Sequence, residues 1–187
     1  MPAPSLTSLI DVVDEQNQPI GVVRRRDVFR LGASFRTVHL LVFNGRGELL
    51  LQRLTWTRDG EPGRWSSSAA GYLHAGEGYP EAAQRRLAEE LNVATVPAEV
   101  GVTCLHDKAA AQFAGVFTAT ADRPRSTTPA HLAEISFRPV AAIEQDMTAH
   151  PDDYTETLRH VLDFWRQATN RAATCDESLH ARSVSVT

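Results

Sequence analysis

The stretch from Gly71 to Val93, reading GYLHAGEGYPEAAQRRLAEELNV, constrains this chain more than any other, because it joins a glycine-rich loop to a strongly patterned helix. Ala82, Ala83, Leu87 and Leu91 recur at helical spacing, Pro80 suits a helix start and Glu81 lies one turn before Arg85, which predicts a helix over 80–91. On such a helix Arg86 and Glu90 stand at i and i+4 and share a face, with Glu89 alongside at i+3 of the same turn. Two carboxylates and a guanidinium therefore converge on one spot. Taken alone, a Glu89-Glu90 pair reads as a solvated acidic helix face, the usual place for such residues.

Around this helix the chain is rich in short apolar runs set between turn signals. Leu9 to Val13, Ile20 to Val23, Val38 to Phe43 and Leu49 to Leu51 read as strands, as do Val100 to Leu105, Phe113 to Ala121 and Glu134 to Val140. Val38 to Arg53 reads as a hairpin turning at Asn44-Gly45, giving two strands of a central sheet. Leu158, Val161, Leu162 and Trp165 mark an amphipathic helix after His150-Pro151. The expectation is one α/β domain of the α+β type over 1–169. From Asn170 the periodicity stops, and 170–187 is expected as a loosely ordered tail. No internal repeat or low-complexity linker interrupts the pattern.

The loop and helix resemble the box of the Nudix family: a Gly, five residues, Glu, seven residues, Arg-Glu, an aliphatic, any residue, Glu-Glu, any residue, Gly and an aliphatic. Gly71, Glu77, Arg85, Leu87, Glu89, Glu90 and Val93 match with all spacings kept, and the order of elements agrees from about Ile10 to Trp165. The resemblance implies a Nudix fold, a mixed β-sheet between helices, and Mg²⁺-dependent cleavage of a diphosphate linkage in a nucleoside di- or triphosphate or another small diphosphate. Mg²⁺, with Mn²⁺ as a substitute, takes oxygen ligands, so Glu89 and Glu90 with substrate phosphate make an ordinary site for it. The resemblance adds Glu77 and the main-chain carbonyl of Ala70 to the metal residues. Glu77 is open between a second metal partner and an anchor that Arg85 holds against the helix. Asn92 replaces the box glycine mildly, since Asn adopts the left-handed conformation of a helix end most readily after Gly.

Arg86 is the serious departure, because the box has Glu there and an arginine can neither hold a metal nor take a proton from water. It either pairs with Glu90 or grips a substrate phosphate as a bidentate donor. A general base for hydrolysis must then come from elsewhere. Glu134 is the candidate for that base, set against the reading of an exposed strand-edge glutamate, and it joins the metal-binding Glu89 and Glu90 as a catalytic candidate. Arg53, where relatives carry a basic residue near the phosphates, is a substrate-binding candidate. The alternative from another class is a non-catalytic Nudix domain that binds a ligand or a protein.

Trp65 to Tyr72 and the Arg85-Arg86 doublet resemble the branch that holds isopentenyl diphosphate isomerases and their hydrolase-like bacterial relatives. Those isomerases place a Cys before the box glycine, a His after it and a Glu-x-Glu pair on a later strand. Here the positions hold Ala70, Tyr72, Ala110 and Gln112, leaving His39 as the one match to a metal histidine, and isomerisation needs a positioned acid and base. His39 reads equally as a residue packed in the sheet. Phe29 and Phe35 stand where bacterial relatives carry histidines and read as core.

Charge and cysteine content narrow the setting. A formal net charge of −4 and a basic run no longer than Arg24 to Arg26 argue against a nucleic-acid partner. Cys104 and Cys175 form no CxxC pair, the first residues lack a basic, apolar leader, and no stretch could span a bilayer, so the expected place is the cytoplasm. Relatives of this kind are often homodimers.

Overall fold

The computed structural model describes residues 8–57, 61–106, 110–125 and 132–183, with side chains described as far as 172. Among them the strands are β1 (Leu9–Val13), β2 (Pro19–Arg24), β3 (Phe35–Phe43), β4 (Leu49–Leu54), β5 (Trp65–Ser66), β6 (Ala69–Tyr72), β7 (Ala98–His106), β8 (Ala111–Thr120) and β9 (Leu132–Arg138). The α-helices are α1 (Tyr79–Leu91), α2 (Val140–Ala149) and α3 (Glu156–Ser183). The expected architecture, a mixed sheet between helices, is the one found.

β3 is the axis of the sheet. Its run of Val38, Leu40, Leu41 and Val42 is wholly buried, as a strand covered on both faces must be. β8 lies parallel along its whole length, from Phe35 opposite Gln112 to Phe43 opposite Thr120. On the other edge β6 pairs antiparallel with Thr37 to Leu40, and β1 and β4 each touch only an end. The expected hairpin is therefore splayed: β3 and β4 pair at Phe43 and Leu49 alone, and β4 goes on to pair with β5 and β9. Its turn begins at Asn44-Gly45 as expected and closes on Gly47, whose φ is 74° and whose N–H donates to the Asn44 carbonyl at 2.9 Å.

Alternation along β3 sorts the core into two layers. Val38, Leu40 and Val42 face α1, packing with Ala82, Ala83, Leu87, Leu91 and Phe117. Leu41 faces the other way, packing with Leu49, Leu51, Trp65 and Val116 under Ile143 of α2 and Leu158, Val161 and Leu162 of α3. α2 was not legible as a helix: Ile143 is its one buried residue, too thin a stripe to show a period. The sequence reading also ran β9 through Val140, whereas the strand ends at Arg138 and Pro139 opens the helix. A third cluster joins Ile10, Val28 and Phe35. Phe35 is core as expected, while Phe29 is exposed and meets it edge-on at 5.5 Å.

The backbone of α3 continues as helix to Ser183, past the point where periodicity stops. The packing expected of the 170–187 tail, and Cys175 with it, lies outside the described residues. Among the described helices none is long and apolar enough to cross a membrane.

His39, on the α3 side of β3, is buried against Ser67 and Gln112, with Nδ1 3.1 Å from the Ser67 hydroxyl and Nε2 3.4 Å from the Gln112 amide. Burial, reinforced by the charge of His160, pushes its pKa down to about 4. The folded chain thus refuses a proton that the unfolded chain accepts between pH 6.5 and 4, so stability falls as pH falls through that window. By pH 4.5 the loss should reach about 2 to 3 kcal/mol. Urea unfolding of wild type and His39→Asn at pH 7 and 4.5 checks this. The variant should lose less on acidification, and equal losses would place the acid sensitivity elsewhere.

Candidate functional site

α1 is seated by the loop before it. Gly76, with φ 76°, donates its N–H to both Asp11 oxygens at 3.2 and 3.0 Å, and the Ala75 N–H donates to the Leu9 carbonyl at 3.0 Å. This ties the loop to β1. Gly78 then caps the helix in extended conformation, with Pro80 in the first turn, and the helix ends at Asn92, left-handed at φ 52° as anticipated for the box glycine position.

Away from the core, α1 presents a web of charge. Arg85 grips Glu77 with a two-pronged contact, Nε to Oε1 at 2.6 Å and Nη2 to Oε2 at 2.7 Å. It also donates to the Tyr72 carbonyl and to Glu89, both at 3.2 Å. The other bond to Glu77 comes from the His74 N–H at 2.8 Å. Burial alone would raise the Glu77 carboxyl, but these hydrogen bonds and the Arg85 charge outweigh it and hold the group below its ordinary range. Of the two roles open to Glu77, the geometry is that of an anchor between loop and helix.

Arg86 turns inward. It is 8% exposed, and its Nε and Nη2 donate to the Ala70 carbonyl at 3.0 and 2.6 Å. Nη1 lies 3.3 Å from Glu89, and Nη2 pairs with Glu90, itself 5% exposed. A Cβ on Gly71 would collide with this guanidinium, so the box glycine makes room for it. Burial lowers the Arg86 pKa to about 10, with Glu89 acting to raise it and Arg85 and Arg25 to lower it further. The group is still charged at neutral pH. Three carboxylates against two guanidiniums leave the web with one net negative charge.

Ala70, Glu77, Glu89 and Glu90 are the residues that the resemblance assigns to a divalent metal. As folded they do not fit a resident ion. Ala70, Glu89 and Glu90 already surround the Arg86 guanidinium, and Glu77 is committed to Arg85 and His74. Among the described residues, no three His, Cys, Asp or Glu side chains gather as a metal site.

Arg53 and Glu134 are not brought to this web. They sit directly opposite each other on β4 and β9. Leu50 and Ile135 belong to the α1 layer, so the neighbours of opposite parity, Arg53 and Glu134, point to the α3 face. There the Arg53 Nε donates to the Gly63 carbonyl at 3.0 Å and the guanidinium lies 5.5 Å over Trp65. Strand parity thus sets both residues on the face opposite the box carboxylates. Arg25, within a short basic triplet, carries no sequence signal that ties it to this site. Its guanidinium stacks 4.7 Å over the Tyr72 ring, next to the box glycine, and its charge reaches Arg86.

Glu90 and Glu89 should differ on neutralisation. Glu90→Gln removes the buried partner of a buried cation and should cost about 3 kcal/mol. Glu89, with a side chain 26% exposed, should cost about 1 kcal/mol as Glu89→Gln. Chemical denaturation of both variants measures the pair, and equal losses would contradict the burial of the Arg86–Glu90 contact.

Comparison with known proteins identifies the family and the fold. A sequence model of the NUDIX domain matches residues 33–164. An uncharacterised Nudix hydrolase of Pseudomonas aeruginosa is 34% identical over 164 residues, covering 86% of this chain and 97% of the relative. An isopentenyl-diphosphate Delta-isomerase of Photorhabdus laumondii is 34% identical over 86 residues, covering 46% of this chain and 49% of that protein. In the solved structures, a Deinococcus radiodurans crystal structure superposes with a TM-score of 0.67 at 20% identity, over 83% of this chain and 97% of that one. With the box residues in the family's loop-helix arrangement and the family model spanning most of the chain, this protein belongs to the Nudix hydrolase family.

Proposed function

We propose that this protein hydrolyses a diphosphate linkage in a nucleoside di- or triphosphate or another small diphosphate, presented as its Mg²⁺ or Mn²⁺ chelate. The observation that carries the reading is the convergence of the Ala70 carbonyl, Glu89 and Glu90 on one cationic group beside the box glycine. Mg²⁺ keeps several waters and is commonly shared between one or two carboxylates and substrate phosphates, which suits an ion that arrives on the substrate.

The chain's own groups divide the remaining work. Glu89 has the most exposed side chain of the three box carboxylates, 26% against 14% for Glu77 and 7% for Glu90. That exposure supports assigning to Glu89, rather than to Glu134, the general-base role of taking a proton from an attacking water. The water oxygen bonds to phosphorus, the bridging P–O bond breaks, and its electron pair leaves on the departing phosphate. Arg25, beside Tyr72, is the proposed phosphate grip in place of Arg53. A cytoplasmic setting, where nucleotides and Mg²⁺ abound, accords with this reading. Isomerase chemistry finds no support: Gln112 donates its amide to Thr37 at 2.9 Å and brings no carboxylate to His39.

The occupied cation position favours a second reading, a Nudix domain that binds a diphosphate without cleaving it. A panel of nucleotides and diphosphates with Mg²⁺ or Mn²⁺ separates the two. Hydrolysis of at least one compound is expected, with kcat lowered about 10²- to 10⁴-fold in Glu89→Gln. Thermal stabilisation by one compound with no product from any would establish the binding reading instead.

A further inference from the structure

We propose that Arg86 is a built-in cation that takes the place of a resident divalent ion, so that this site is electrostatically complete before any ligand arrives. The guanidinium occupies the donor set itself: one carbonyl and two carboxylates, contacted through Nε, Nη1 and Nη2. A planar fork of fixed donors can satisfy several acceptors at once, which a lysine ammonium or a solvated surface arginine would not do in this geometry.

Three features make occupancy exclusive. The guanidinium lies where a side chain on Gly71 would sit, so the wall is shaped around it. Arg86 and Glu90 are both nearly inaccessible, so an incoming ion would have to expel one buried charge to reach another. Finally, the web retains a single negative charge, with Arg25 close enough to weigh on Arg86, which leaves little field to attract a free divalent cation. The ordinary box carboxylate at this position would have deepened that negative charge, setting four carboxylates against Arg85 alone. An ion carried by a diphosphate is a different case, because the phosphates bring their own ligands and charge.

This inference concerns the site without substrate and stands whether or not the protein hydrolyses anything. It is tested with the full-length protein and the metal alone. Mn²⁺ binding is followed by water-proton relaxation and isothermal titration, and melting temperature is followed with EDTA and with millimolar Mg²⁺. Wild type should bind Mn²⁺ no more tightly than millimolar and melt at the same temperature in EDTA and in millimolar Mg²⁺. Arg86→Gln frees the acceptors and Arg86→Glu adds a carboxylate; each should bind Mn²⁺ at least tenfold more tightly, and Arg86→Glu should melt lower in EDTA and recover with Mg²⁺. Stoichiometric micromolar Mn²⁺ binding by wild type would overturn the proposal. So would folded variants that bind no better than wild type. Should neither variant fold, the wild-type titration still decides, because tight binding refutes the proposal and indifference to metal upholds it.

Discussion

β3 carries the structure, because it is buried on both faces and paired along its whole length to β8. A strand in that position has no freedom of register: a slip of one residue would exchange Val38, Leu40 and Val42 for Thr37, His39 and Leu41 on the α1 face. The parity so imposed passes through the sheet to its neighbours. It decides which of their side chains stand with α1 and which lie beneath α3, and it puts Arg53 and Glu134 on the far side from the box glutamates.

Within the α1 layer, the site is built from charge compensation at two depths. Arg85 and Glu77 form the outer clamp, holding the loop to the helix. Arg86 forms the inner one, reaching the carbonyl of Ala70 on β6 while meeting Glu89 and Glu90 on its own helix. A buried guanidinium is tolerable only because its donors find acceptors, and buried carboxylates only because a cation faces them. The two requirements meet in the same few atoms, so the box keeps its family shape although a glutamate has become an arginine.

The polar group under the opposite face follows other rules. His39, which by sequence resemblance could be read as a metal histidine, is here neutral, packed, and bonded to Ser67 and Gln112. With no carboxylate beside it among the described residues, burial dominates its ionisation and makes it part of the core.

What the sequence determined by itself was local. Helical spacing put Arg86, Glu89 and Glu90 on one face of α1, Asn92 suited the left-handed end, and most strands could be placed because apolar runs and turn residues act over a few positions. The matched spacing of Gly71, Glu77, Arg85, Glu89 and Glu90 was likewise enough to suggest the family. Sequence left Arg86 open between Glu90 and a phosphate, Glu77 open between metal and anchor, and Arg25 unregarded. Only tertiary structure decided what these side chains touch, since the Ala70 carbonyl, the Tyr72 ring and the His74 amide come to them through chain folding rather than helical spacing. Strand parity was similarly out of reach for Arg53 and Glu134, because a period of two leaves open which face of a sheet meets which helix until the sheet is assembled.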